Sequence, residues 1–575
     1  MTLLLGCVDP SPFAVEPEVV NLVEDWRDEI IYQVLVDRFA NGDVNNDYNV
    51  TLDPANLARY QGGDWQGIID EVDYLLALGV TTVWISPVVV NVEEDAGNAS
   101  YHGYWTQDFI NPNPHFGDLA KLREMVATLH EHDIKVVLDI VVNHVGQLFY
   151  YDINRNGQPD TTTYYSTDGS DTVDIVNEWD PAYDERGVQG WTSLGGSGPA
   201  PLGWVVEPVN NRVPPNPPEF HNDAWYHRRG RVTDWAVPEQ VLYGDFPGGL
   251  KDLATENPDV RAALLEVFAG WVSSIGLDGF RIDTLKHVEH EFWQEFCGGV
   301  RDHCALIGKE RFLMFGEAFD GDDALIGSFT FDGEVDSVVY FSQKFQVYDD
   351  VFKYGAPTRR IEELYAARDV NFGTVAHERG AGLPPRDLLV NFIDNHDIPR
   401  FLYDKDSIPA LKSALTYLLT QDGIPCLYYG TEQGFSGGND PANREPLWES
   451  GFETGGDLFQ HVAALTALRR EYISLRRGDF RIRWVTDRTA DEEDAGLVAF
   501  ERTYEEETVL VVVNTSDGNV SHTAYGASGM PVGFAPGTEL VEVFPLSSDR
   551  VWTVAADGTL VVEVGPRDGV VLAVR

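Results

Sequence analysis

Two patterns of apolar and polar positions divide the chain. In the first, short runs rich in Val, Ile, Leu and aromatic residues alternate with longer stretches of helical period, as βα units around a parallel sheet do. Eight such runs can be counted: "IIYQVLVDRF" from Ile30, "VTTVWISPV" from Val80, "IKVVLDIVVNH" from Ile134, "GFRID" from Gly279, "FLMFGEAF" from Phe312, "VDSVVYF" from Val335, "LLVNFIDNHD" from Leu388 and "IPCLYYGTE" from Ile424. Helix candidates lie between most of them, including "DWQGIIDEVDYLLALG" from Asp64, "DLAKLREMVATLHEHD" from Asp118 and "NPDVRAALLEVFAGWVSSIG" from Asn257. The first and last open on Asp or Asn suited to capping. Eight strands with intervening helices predict an α/β chain folded as a (β/α)8 TIM barrel. The second pattern begins at about residue 478, where the helical period stops and runs such as "GLVAFERTY", "TVLVVVNTS" and "GTLVVEV" alternate with polar turns. It predicts an antiparallel β-sandwich domain.

The third and fourth runs are separated by more than a hundred residues rich in Gly, Pro, Asn, Asp and Trp, too long for a loop and therefore read as an inserted domain. The predicted organisation is a lead-in over 1–25, a barrel over 26–144 and 252–477, an insert over 145–251 and a C-terminal β-domain over 478–575. With 43% hydrophobic and 12% aromatic residues, the 575-residue chain has enough apolar material for these cores. Its 93 acidic and 41 basic residues give a formal net charge of −52, a surface that repels nucleic acid and anionic lipid. The excess serves solubility or, alternatively, adaptation to high salt, which would screen the self-repulsion. No apolar run approaches the ~20 residues of a membrane helix. Cys297 and Cys304 lie seven apart in a helical pattern, about 10 Å along an axis, too far for a disulfide.

Chemistry gathers at the strand ends, where barrels of this type carry their sites. Strand three ends in Asp139 and then Asn143-His144, strand four in Arg281 and Asp283, strand five in Glu317, and strand seven in Asn395-His396-Asp397. In "GFRIDTLKH", Phe280 and Ile282 face one way in a strand, so Arg281 and Asp283 share the other face. Alone, that pair reads equally as an ion pair closing a strand end. The convergence of carboxylates, histidines and an arginine at one mouth favours catalysis. Paired carboxylates suit glycoside hydrolysis, in which one attacks an oxocarbenium-like centre and the other protonates the leaving oxygen. Arg281 is expected to keep Asp283 ionised, and an apolar strand with a carboxylate neighbour is expected to raise Glu317.

"DIVVNH" from Asp139, "GFRIDTLKH" from Gly279, "GEAF" from Gly316 and "FIDNHD" from Phe392 resemble, in order, the four sequence regions of the α-amylase family of glycoside hydrolases. "GVTTVWISPV", "YHGYW" and "LKDLATENPDV" extend the resemblance over roughly residues 28 to 475. It implies Asp283 as nucleophile, Glu317 as general acid/base and Asp397 as the carboxylate that holds the distorted sugar. It also implies Tyr104 as an aromatic platform, with His144, Arg281 and His396 hydrogen-bonding at the cleavage point and Lys286 and His287 binding beyond it. A Ca2+ is implied between barrel and insert, held by Asn143, Asp252 and the His287 carbonyl, although Lys251 stands where the family often has proline. A second Ca2+ loop resembles that of cyclodextrin glucanotransferases: Asn41, Asp43, Asn46 and Asp47, with the Gly62 carbonyl and Asp64. "DINRNGQPD" supplies a third, partial candidate in Asp152, Asn154, Asn156 and Asp160, with alternate-residue oxygens and a glycine turn but no closing glutamate.

The resemblance implies an α-1,4-glucan substrate such as starch, glycogen or maltooligosaccharides. The expected activity is that of a retaining, internally cutting α-amylase, and a single β-domain at the tail is taken to favour hydrolysis over transfer. Two alternatives stay open: an α-glucan transglycosylase, and a catalytically silent glucan-binding relative. A monomer is expected. "MTLLLGC" resembles a lipoprotein processing site with Cys7 as the lipidated residue, which predicts an extracytoplasmic, secreted or lipid-anchored protein. Three leucines without a basic leader fall short of the about 7 to 15 apolar residues of a secretory signal, so a cytoplasmic location also stays open. Trp179, Trp191, Trp204, Trp225 and Trp235 of the insert read equally as core or as sugar platforms.

Overall fold

The computed structural model describes residues 18–575 apart from 49, 51–54, 96, 160–162, 168–172, 178–189, 192–198 and 546–549. Cys7, Asp160 and Trp179 lie outside the described residues. The eight apolar runs form the eight strands of one parallel sheet: β1 (Ile31–Val34), β2 (Thr82–Ile85), β3 (Lys135–Ile140), β4 (Gly279–Ile282), β5 (Leu313–Gly316), β6 (Ser337–Val338), β7 (Val390–Phe392) and β8 (Ile424–Tyr428). Each pairs with its sequence neighbours, β1 pairs with β8, and a Val339–Val390 bridge joins β6 to β7 and closes the barrel. β6 is the shortest, two residues within the seven-residue apolar run from Val335.

Side chains already named begin the helices. Asp64, Asp118 and Asn257 cap the helices that follow them, accepting from the N–H groups of Gly67, Lys121 and Asp259. The stretch after Asp64, read as one helix, is two, Trp65–Asp70 and Val72–Leu78, meeting at the non-helical Glu71. The insert leaves the barrel after β3 and returns through a short antiparallel pairing of His144–Val145 with Lys251–Asp252. Lys251 is buried: its ammonium binds Asp245 at 2.9 Å and lies over the rings of Phe149 and Tyr151, so a cation–π cage occupies the proline's place.

The C-terminal domain contains a six-stranded antiparallel sheet of β9 (Asp479–Trp484), β10 (Leu497–Tyr504), β11 (Glu507–Asn514), β12 (Glu539–Phe544), β13 (Val551–Thr553) and β14 (Gly569–Val574), in the order β9-β10-β11-β14-β12-β13. One face has its own core around Leu510, Leu540 and Leu572, while Phe500, Val511 and Val571 join the barrel's core. Buried Arg502 donates to the carbonyls of Thr420, Leu475 and Gly478 across that seam. Cys297, Cys304 and Cys426 are buried free thiols.

Candidate active site

Strand register sets the floor of the barrel mouth. Arg281 lies opposite Asp139 across the β4–β3 pair, and Gln33 lies opposite Trp84 across β1–β2. Arg281, fully buried, donates through Nη1 to both oxygens of Asp139 (2.9 and 3.1 Å) and to Asp283 Oδ1 (2.7 Å). Its Nη2 stands 3.8 Å from Glu317 Oε2. One guanidinium thus faces three carboxylates at graded distances, and Glu317 is the most weakly paired.

A second network aligns the sugar-facing rings. Asp139 Oδ2 accepts from Trp84 Nε1 (3.1 Å) and from the Tyr104 hydroxyl (2.8 Å). His396 Nδ1 faces the Gln33 amide nitrogen at 2.6 Å and therefore accepts, which puts the ring proton on Nε2, 2.8 Å from the Tyr104 oxygen and 3.3 Å from Asp397 Oδ2. The Tyr104 and His396 rings stack 5.4 Å apart, 5° from parallel. His144 is oriented likewise: Nδ1 accepts from the Asn143 amide and Nε2 donates to the Tyr104 carbonyl. Burial lowers both histidines, His144 to about 4, so both are neutral donors here.

The carboxylates differ in environment. Burial first, then its acidic neighbours, push Glu317 up to about 8 against the pull of Arg281, while the Thr284 N–H donates to its Oε2 at 3.1 Å. Asp283 is also raised by burial, and Asp397 adds to that, whereas Arg281 pulls it down. Arg281, expected to keep Asp283 ionised, thus opposes burial without overcoming it. A third of the Asp397 side chain stays open to the cleft. Beyond it, Arg444 reaches Asp440 (3.0 Å), the Tyr101 hydroxyl (3.2 Å) and the His396 carbonyl (3.1 Å).

These groups surround a cleft of about 380 Å3 lined by Tyr104, His144, Asp283, Glu317, His396 and Asp397. His287 lines it too, donating through Nδ1 to the Val241 carbonyl of the insert (3.0 Å). Lys286 sits at the rim, bound to the Phe319 carbonyl and Asp320. Of the insert's tryptophans, Trp225 is buried against Phe220, Trp204 packs on Phe149 and Tyr226, and Trp191 lies under Arg229. Trp235 is half exposed and stands edge-on to His287. Sequence reading missed Gln33, Trp84, Asp440 and Arg444. The first two are single polar or indole positions inside apolar strands, and the others lie in an aperiodic loop after β8.

The cation candidates separate on their spare oxygens. Asp252 Oδ1 is buried without a partner, while its Oδ2 faces His227 Nδ1 at 2.5 Å. Asn41 Oδ1 and Asn46 Oδ1 are likewise buried and unpartnered, their amide nitrogens bound to Asp47 and Asp64. Unpaired buried oxygens on converging segments fit a hard cation. Asp43 instead turns to Asn45, and Asp64 accepts from the backbone of Gly42, Asp43 and Gly67 as well as from Asn46. Gly62, in the left-handed region at φ 92°, gives its N–H to Asp37. In the third loop Asp152, Asn154 and Asn156 spend side-chain oxygens on their own backbone N–H groups, the pattern of a self-capped turn.

A closed (β/α)8 barrel whose mouth holds an arginine-bridged carboxylate pair, a third carboxylate and stacked aromatic rings is the scaffold of a carbohydrate-cleaving enzyme. The model of the alpha amylase catalytic domain matches residues 33–464, and the chain belongs to the alpha-amylase family of glycoside hydrolases. It is 31% identical over 564 residues to a beta/alpha-amylase of Paenibacillus polymyxa, covering 95% of this chain but 38% of that protein. It is 28% identical over 557 residues to a cyclomaltodextrin glucanotransferase of Geobacillus stearothermophilus, covering 94% of this chain and 66% of that one. Among solved structures, CldA, described as a cyclomaltodextrin glucanotransferase with a three-domain ABC distribution, superposes with a TM-score of 0.72 at 25% identity over 97% of this chain and 100% of its own. Domain number therefore does not separate hydrolysis from transfer, and the expectation built on a single β-domain loses its force.

Proposed function

We propose that the protein hydrolyses internal α-1,4-glucosidic bonds of starch-like glucans with retention of configuration. The observation that carries this reading is the graded pairing of Arg281, which holds Asp283 at 2.7 Å and Glu317 at 3.8 Å and so gives two neighbouring carboxyls different proton affinities. Protonated Glu317 gives its proton to the glycosidic oxygen as that bond breaks, while Asp283 bonds to the anomeric carbon. Water then attacks the glycosyl ester and gives a proton back to Glu317, releasing a product of the original configuration. Asp397 and neutral His396 hold sugar hydroxyls over the Tyr104 ring, and Arg444 with Asp440 borders the far end of the cleft.

Ca2+ belongs to this proposal: Asn143, Asp252 and the His287 carbonyl would hold one ion at the base of the insert, and Asn41 and Asn46 would anchor a second. Each ion would reinforce segments that hydrogen bonds already bring together. Transglycosylation is the second reading, favoured by the kinship to cyclomaltodextrin glucanotransferases. Incubation with maltoheptaose, with products and anomeric form followed over time, tests both. Short α-maltooligosaccharides support hydrolysis, and rings or chains longer than the substrate support transfer. An unchanged substrate overturns the enzymatic reading.

A further inference from the structure

At the end of the barrel opposite the catalytic mouth, a cavity of about 390 Å3 opens at the seam with the β-domain. Gly423 in its wall directly precedes β8, and Asp387 lies just before β7, so the cavity sits at the N-terminal ends of the strands. Asp283, Glu317 and Asp397 follow the C-terminal ends of theirs. Asp479, Phe480 and Arg481 of β9 and Arg502 of β10 supply the β-domain's side of the wall.

The composition of this wall inverts that of the chain. Seven of its sixteen residues are arginines and four are aspartates, in a protein whose acids outnumber its bases 93 to 41. The aspartates answer only part of that charge. Asp422 accepts from Arg368 (2.9 Å), while Asp369 (2.6 Å) and Asp387 (3.1 Å) accept from Arg386. Arg27 and Arg477 are held from outside the lining by Asp25 and Asp28. Arg481 is exposed and Arg502 fully buried, and neither makes an ion pair among the described residues. Arg502 donates to carbonyls through both Nη atoms, and its Nε, like that of Arg476, is enclosed without a partner. Burial lowers Arg502 to about 10 against the pull of Asp422, a cost that an anion in the cavity would offset. Guanidinium forks arriving from several segments suit a tetrahedral dianion better than a planar carboxylate, which one fork satisfies. The remaining wall suits a sugar. Tyr365 and Phe480 present rings 4.9 Å apart, and exposed Asp479 offers a carboxylate to hydroxyls.

We propose that this cavity binds a small sugar phosphate, with its phosphate among the arginines and its sugar against Tyr365 and Phe480. Arg368 and Arg386 belong to the barrel and Arg481 and Arg502 to the β-domain, so one bound dianion bridges the two domains and stabilises the folded chain by mass action. Its distance from the catalytic mouth keeps it out of the glucan's way.

Calorimetric titration of the full chain with ribose 5-phosphate and with inorganic phosphate, at an ionic strength held constant with NaCl, tests this. Saturable one-site binding is expected, tighter for the ester. At a hundred times its dissociation constant the ester should raise the melting temperature by about 2 °C, a rise that chloride of equal ionic strength does not give. Arg481→Glu and Arg386→Gln, both at solvent-reached positions, should each weaken binding about tenfold while maltoheptaose turnover stays as in wild type. Inorganic phosphate binding as tightly as the ester, no saturable binding of either, affinity unchanged in both variants, or competition between the ester and maltoheptaose overturns the proposal.

Discussion

Glu317 imposes a stability cost that its substitution should release. The side chain is 6% exposed, and its carboxyl moves from an ordinary value of 4.5 to about 8. Below pH 4.5 the group is protonated whether the chain is folded or not, and it costs nothing. Between 4.5 and 8 the unfolded chain gives up the proton and the folded one keeps it, so each pH unit takes about 1.4 kcal/mol from the fold. The cost is about 3 kcal/mol at pH 7 and levels off near about 5 kcal/mol above pH 8. Glu317→Gln carries no charge at any of these pH values, and its amide oxygen still accepts the Thr284 N–H. A melting entropy of about 2.1 cal/mol/K per residue makes 3 kcal/mol worth about 2–3 °C in a chain of 575 residues. Thermal melts of both proteins at pH 4, 7 and 9 should show no difference, a gain of about 2–3 °C and a gain of about 4 °C for the variant. A gap that does not grow with pH, or a variant less stable at pH 9, would refute the buried, proton-holding Glu317. The same titration predicts that kcat/KM falls above about pH 8 as the acid is lost.

Asp283→Asn should lower starch hydrolysis, followed as reducing ends, by about a thousandfold or more; turnover near that of wild type removes it as nucleophile. Gln33→Leu takes away the donor that fixes the His396 tautomer, so kcat should fall about tenfold with KM little changed. An equal loss confined to KM would show that His396 is held by other means. Chelator should lower the melting temperature and Ca2+, but not Mg2+, should restore it. Asn41→Ala and Asn46→Ala should each shrink that chelator-sensitive shift, and an undiminished shift in both would exclude the loop.

The barrel was legible because its strands are buried on both faces and read as continuous apolar runs, as "IKVVLDIVVNH" does. Alternation within "GFRID" was enough to put Arg281 beside Asp283, and the register adds Asp139 across the strand gap. Gln33 was not legible, because one amide in an apolar strand has no periodic signature and acquires meaning only when β7 brings His396 against it. Arg444 and Asp440 lie where the chain follows the barrel surface and not a repeat. The environment of Asp283 was only half legible: sequence shows the ion pair but not how completely the mouth excludes water, and burial is the larger influence.

The basic residues are distributed in a way that net charge conceals. Of 41 lysines and arginines against 93 acids, Arg38, Arg281, Arg400, Arg469 and Arg502 are fully buried. Arg469 and Arg502 bond mainly to backbone carbonyls at the barrel's junction with the β-domain, and burial lowers their proton affinity. A guanidinium suits that work because its planar fork satisfies several carbonyls at once and remains charged where an ammonium would lose its proton. Bonds to carbonyls within the interior are shielded from ions in solution, whereas repulsion among surface acids is screened by them. The acidic surface and the arginine-stitched interior therefore differ in their response to dilution of salt: the surface repulsion strengthens while the domain junction keeps its bonds. Repulsion of that kind loads the exposed parts of the fold before it reaches the barrel mouth, where Arg281 is enclosed by the carboxylates it serves.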